Sequence, residues 1–182
     1  MRVAVLMLFV ALYAATLAGA EATRSYDLGA GGLAIQAPAT WAPVRGQGGA
    51  ALVLRGPAPA GLGDAAERSR PVITVALRAG LTAGEGDAFA RQCRDDLAGL
   101  LASFAVVSEA TIELGGRRWS VLRYRFAVGH LTWEQVVRTT VVDGTGVCVT
   151  CSCAADVIAR WEVEFDAAIA SLGRSRPTLD AR

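Results

Sequence analysis

Between residues 105 and 152 the apolar positions fall into four compact or alternating runs, 105–114, 117–128, 131–142 and 145–152. Gly115-Gly116, Gly129-His130 and Asp143-Gly144 join them. Such dipeptides favour two-residue hairpin turns, whose central positions need positive φ, so the runs predict an antiparallel meander. In that register Phe126 opposes Trp133 and Arg125 opposes Glu134, an aromatic pair on one face and an ion pair on the other.

Helical spacing replaces the strand period on both sides of the meander. Phe89, Cys93, Leu97 and then Leu100 or Leu101 recur on one stripe, with Arg91, Arg94, Asp95 and Asp96 opposite. This predicts a helix of about four turns starting near Gly86-Asp87, with Cys93 turned toward the core. A second helix is predicted over 155–172, where Ile158, Trp161, Phe165, Ala168 or Ile169, and Leu172 share a stripe. Its acids, Glu162, Glu164 and Asp166, fall mostly off that stripe and, like Asp95-Asp96, read as solvated surface.

Nearer the N-terminus, 26–28 and 33–37 read as short strands around the glycines of Gly29 to Gly32, with Pro38 and Trp41 following. Residues 51–54 form another short apolar run, 57–70 an aperiodic exposed loop, and 72–77 a β-branched buried strand. The fold class is therefore α+β. Residues 21–172 form a single domain with a central antiparallel sheet, the four-strand C-terminal meander plus shorter N-terminal strands, flanked by two main helices. Residues 173–182, opening on Gly173 and carrying Pro177, read as a flexible tail.

Residues 1–20 have the form of a secretory signal peptide: Arg2, an apolar run from Val3 to Leu17, then Ala18-Gly19-Ala20, with cleavage expected after Ala20. The run is shorter than the ~20 residues of a membrane span, and no Cys follows it to accept a lipid. The mature chain is expected to be exported and soluble, periplasmic or extracellular, without a transmembrane span. Cleavage leaves seventeen arginines, no lysine and seventeen acids, a balance that argues against nucleic acid or an anionic membrane as partner.

The order of "LAIQAPATW", a helix, "SFAVVSEATIELGGRRWSVLRYRF", a last strand and a terminal helix ending "AIASL" spans the mature chain. In this order the chain resembles the PsbP-like group, including DcrB-type bacterial envelope proteins. The resemblance implies a central antiparallel sheet flanked by helices. It also implies a non-enzymatic binding or assembly factor of the cell envelope, whose partner is another envelope protein. It implies no cofactor and transfers no binding residue, and the four cysteines lie outside its pattern.

No catalytic grouping offsets that expectation. His130, the single histidine, falls in a hairpin tip with no wall around it. The glycines of Gly29 to Gly32 lack the Lys-Ser/Thr of a phosphate loop. The remaining chemistry lies in Cys93 and in Cys148-Val149-Thr150-Cys151-Ser152-Cys153. In an exported protein four cysteines point first to disulfides. On a regular strand Cys148–Cys151 would be about 10 Å apart on opposite faces, and Cys151–Cys153 about 6.5–7 Å, at the limit for a bridge. Cys93 is thus the natural partner, by preference for Cys151 and next for Cys148, closing a loop worth roughly 4 kcal/mol. A two-residue turn at Asp143-Gly144 sends Cys148 to the Phe126/Trp133 face and Cys151 and Cys153 to the other, whereas an odd-length turn reverses the assignment. The alternative function is a thiol-redox or zinc protein using Cys148, Cys151 and Cys153 with Cys93. A tetrahedral zinc site would need ligands from both sides of a sheet. Cys153, nearest a helix start, is the candidate reactive thiol. A small-molecule or lipid binder with a pocket between sheet and helix is a further alternative.

Overall fold

The Gly-rich turn after Asp27 folds β1 (Thr23–Asp27) against β2 (Leu33–Pro38) as an antiparallel hairpin, with Tyr26 facing Ile35. Trp41 follows and is 1% exposed. Its carbonyl accepts the Tyr26 hydroxyl proton at 2.8 Å, which ties the hairpin to the chain that leaves it. Next come β3 (Ala42–Val44), β4 (Leu52–Arg55) and β5 (Val72–Ala79). Helix α1 (Gly86–Leu100), β6 (Ala105–Leu114), β7 (Arg117–Val128), β8 (Leu131–Val142) and β9 (Thr145–Ala154) follow, and α2 (Glu162–Ala170) and β10 (Gly173–Arg174) close the chain. The computed structural model describes residues 22–29, 32–45, 49–60, 66–67, 69–129 and 131–174. The leader with its cleavage point after Ala20, His130 and the tail from residue 175 lie outside the described residues.

Among the described residues seven strands form one antiparallel sheet in the order β3-β4-β5-β9-β8-β7-β6, so the meander forms with its edge at β6 and with β9 inserted beside β5. The expected register holds: Phe126 pairs with Trp133, Arg125 with Glu134, and Val142 with Thr145 across a two-residue turn. Asp143 and Gly144 both have positive φ, at 49° and 77°, as that turn requires. The first two strands depart from expectation. They stay out of the central sheet and pair with β10 as a separate three-stranded sheet, which also draws Gly173 and Arg174 out of the predicted tail.

Each face of the large sheet carries its own core. One is covered by the β1–β2 hairpin and α2, where Trp41 meets Trp161 and Phe165 edge-on at 6.1 and 5.9 Å between ring centres. The other is covered by α1 and holds Leu122, Tyr124, Phe126 and Val137, with Leu97, Leu101, Phe104 and Cys148 packed against them. Of the predicted stripe of α1, Phe89 is buried and Leu101 packs, whereas Leu100 is 81% exposed. The second helix is shorter than predicted. Residues 155–161 make a turn and the 3-10 segment Ile158–Arg160, and α2 begins at Glu162, where Glu162 and Glu164 suit the positive end of the helix dipole.

Two glycines are dictated by close approach. A Cβ on Gly146 of β9 would lie 2.6 Å from Leu81 and 3.0 Å from Phe89, so its absence lets α1 seat Phe89 on the sheet. Gly115 sits at φ +59°, and a Cβ there would lie 2.4 Å from the Ala170 carbonyl oxygen at the end of α2. Gly115→Ala therefore combines a strained backbone with a clash against main chain, and is expected to cost at least about 2 kcal/mol in urea unfolding. A change below about 0.5 kcal/mol would show that this turn and α2 do not meet in solution.

Candidate functional site

Strand alternation decides where the cysteines go. Along β9, Val147, Val149, Cys151 and Cys153 face the core beneath α2, and all four are fully buried. Cys148 points the other way, into the α1-side core. Cys93, half-buried on α1 one turn beyond the Phe89 that sits over Gly146, lies on the helix face turned to this core, over the stretch of β9 that carries Cys148. The preference for Cys93–Cys151 is thus overturned, because the sheet itself stands between those residues. The cysteine that Cys93 reaches is Cys148, and all four cysteines are thiols in the structure.

The same division corrects the other cysteine expectations. Cys153 is no reactive thiol: burial, reinforced by the Glu134 carboxylate, pushes its pKa up to about 12. Cys151 is likewise pushed up to about 12, mainly by burial, although Arg138 opposes the shift. Cys93 moves in the opposite direction. The Cys148 S–H donates to it and holds its pKa below the ordinary thiol value, against the effects of burial and Asp96. Cys148 is raised as that donor, with burial adding to the effect. Among the described residues no group of three or more His, Cys, Asp or Glu side chains converges as metal ligands. The four sulfurs divide between the two faces, so the zinc arrangement does not assemble.

The acids of α2 are not the solvated surface that their spacing suggested. Glu162 pairs with Arg123 of β7 and Asp166 with Arg138 of β8. Glu134, 1% exposed, takes Arg125 at 2.6 Å and Arg123 at 3.2 Å. A charged layer thus lies between sheet and helix, signalled in the sequence by the Arg125–Glu134 pairing and by Glu134 and Arg138 being in phase with the buried Val136. The two anchors differ in how well they are satisfied. Glu134 has two guanidinium partners, whereas the Nε and Nη1 of Arg138 are buried with no hydrogen-bond partner among the described residues. Glu134→Ala, which strands two arginines against the core, is expected to lower stability by about 2–3 kcal/mol in urea titration. Arg138→Met is expected to stay within about 1 kcal/mol of the parent or exceed it, since an apolar side chain there relieves an under-satisfied buried cation. A loss beyond about 3 kcal/mol in the Met variant would contradict that assignment.

The opposite face is the open one. A groove of about 370 Å³ runs between α1 and strands β6 to β8, with Thr111, Ser120 and Thr139 on the sheet side and Arg91 and Cys93 on the helix. A wider cleft of about 730 Å³ shares Asp87, Ser120 and Thr139 with it and continues toward Arg117 and Arg174. Two ion pairs cross from helix to sheet, Arg94–Glu109 at 2.9 Å and Asp87–Arg118 at 3.7 Å. All four side chains are about half-exposed or more, so each pair contributes little and either opens at small cost. At one end of this groove Leu100, Val106, Val107 and Val128 are exposed. The Ala127 N–H bond to the Ala102 carbonyl and the Ala105–Arg125 pairing bring their segments together. β6 is the last strand of the sheet, and a bulge at Val107 interrupts its register between Val106 and Ser108.

A scan against protein-family models finds no match, and no curated protein matches the chain. Solved structures do match. The cyanobacterial PsbP, CyanoP, of Synechocystis aligns over 87% of this chain and 95% of its own at 16% identity, with a TM-score of 0.57. LpqN of Mycobacterium tuberculosis, described as involved in cell envelope biogenesis, aligns over 82% and 87% at 15% identity, TM-score 0.55. The Ran-binding protein Mog1p of Saccharomyces cerevisiae aligns over 85% and 96% at 10% identity, TM-score 0.58. At these identities the likeness is one of fold, and the chain has the PsbP-like α+β fold. Among the described residues no helix is long and apolar enough to cross a membrane.

Proposed function

We propose that this PsbP-like chain is an exported, non-enzymatic binding or assembly factor of the bacterial cell envelope. Its partner is a protein held along α1 and the edge strand β6. The observation that carries this reading is the asymmetry of the two sheet faces. The face under α2 is closed by Trp41, Trp161 and Phe165, whereas the face under α1 leaves a groove beside the exposed Leu100, Val106, Val107 and Val128. Exposed apolar side chains gathered beside a polar groove are the usual composition of a protein-binding surface. Among the described residues no strand pairs with the outer edge of β6, which offers backbone donors and acceptors to an added strand.

The neighbours support the same class of role: LpqN is described by envelope biogenesis and Mog1p by protein binding. Export follows from the signal-like residues 1–20. Neither the cysteines nor the charged layer under α2 brings a nucleophile, a base and an orienting group together in an accessible cleft, so the reading remains non-enzymatic.

A photo-cross-linking side chain placed at Leu100 or Val107 is expected to give a discrete heavier adduct in cells, while the same group at Val163, 79% exposed on α2, gives none. Adducts from Val163 alone, or from no position, would move the interface elsewhere or remove it. The mature protein recovered from the envelope fraction should begin at Glu21. A chain still starting at Met1 in the cytosol would remove the envelope role.

A further inference from the structure

We propose that Cys93 and Cys148 form a thiol–disulfide exchange site at the floor of the α1 groove, with Cys93 the attacking thiol and Cys148 the resolving one. Cys93 lines the groove and is half-buried, so a disulfide-bearing molecule reaches it from solvent. Phe89 of α1 is seated over Gly146 of β9, so Cys93, one helical turn beyond Phe89, lies over Cys148, two residues along the strand, which is half-buried and packed against the cluster of Leu122, Tyr124, Phe126 and Val137. The remaining two cysteines are fully buried on the opposite face and take no part. The hydrogen bond from Cys148 favours the thiolate of Cys93, the form that attacks.

The incoming reagent is a disulfide, R–S–S–R, either a small molecule or another protein. The Cys93 thiolate attacks one sulfur, the R–S–S–R bond breaks, and the first RS⁻ leaves with the electron pair and takes up a proton. Cys148 then loses its proton and attacks Cys93 Sγ in the mixed disulfide, expelling the second RS⁻, which is protonated in turn. Two thiols are oxidised, one external disulfide is reduced to two thiols, and the Cys93–Cys148 bond joins α1 to the central strand. Of the residues of α1 only Phe89 is buried. A covalent tie therefore changes how firmly the helix bounds the groove, whatever partner binds there.

Glutathione disulfide serves as the probe on the folded mature chain. The expected product has lost two hydrogens, and cleavage after arginine joins the peptide of residues 92–94 to that of 139–160, with fragmentation placing the bond on Cys148. The melting temperature of this product is expected to rise by up to roughly 10 °C. Cys148→Ser should stop at a glutathione adduct on Cys93, and Cys93→Ser should form neither adduct nor bridge. A bridge to Cys151 or Cys153, or an adduct that persists in Cys93→Ser, would overturn the assignment. A measurement on the unaltered chain covers variants that fail to fold. Brief iodoacetamide treatment should label Cys93 at least roughly tenfold ahead of the other three cysteines, and equal labelling would equally overturn the proposal.

Discussion

β9 is hydrogen-bonded on both edges, to β5 and to β8, and is packed on both faces, so its register is the constraint on which the other placements rest. A slip of one residue would drive Cys148 and Thr150 beneath Trp41 and α2, and would turn Val147 and Val149 toward α1. The Asp143-Gly144 turn prevents this by fixing the parity of β8 against β9 with two positive-φ residues. Gly146 reinforces the same register from outside the meander, because only a residue without a Cβ leaves room there for Phe89 and Leu81.

With that register set, the inward face of β8 alternates Glu134, Val136, Arg138 and Thr140 beneath α2. The buried charges are tolerated where α2 and β7 supply counter-charges, Glu134 between Arg123 and Arg125 and Arg138 beside Asp166. Charged residues this close to a core are costly unless paired. Burial by α2 therefore depends on Glu162 and Asp166 as well as on Phe165 and Ile169. Packing under the β1–β2 hairpin is built on Leu28, Leu33, Ile35 and Ala37, and Trp41 packs edge-on against Trp161 and Phe165.

The two faces are consequently unequal. The α2 side combines a hairpin, a helix and a charged layer. The α1 side relies on one buried phenylalanine, a few half-buried contacts and two exposed ion pairs, and there the polar groove and the exposed apolar residues occur together. Weakly held elements at the rim of a firm sheet are where partners and reagents gain access.

Local patterning by itself determined the meander, its turns, the start of α1 and the division of Cys148 from Cys151 and Cys153, because strand parity and two-residue turn chemistry are properties of neighbouring residues. It also pointed to the Arg125–Glu134 pair. Only the tertiary structure decided that β9 inserts beside β5, that the first hairpin pairs with β10 in a second sheet, and that α2 starts at Glu162. These depend on contacts between residues far apart in the chain. The cysteine partner belongs to the same category. The helix period placed Cys93 on an inward stripe, but which face of the sheet that stripe covers is set by the path from β5 through α1 into β6. That path lays α1 on the Phe126 side, where Cys148 lies, and leaves Cys151 and Cys153 sealed beneath the other helix.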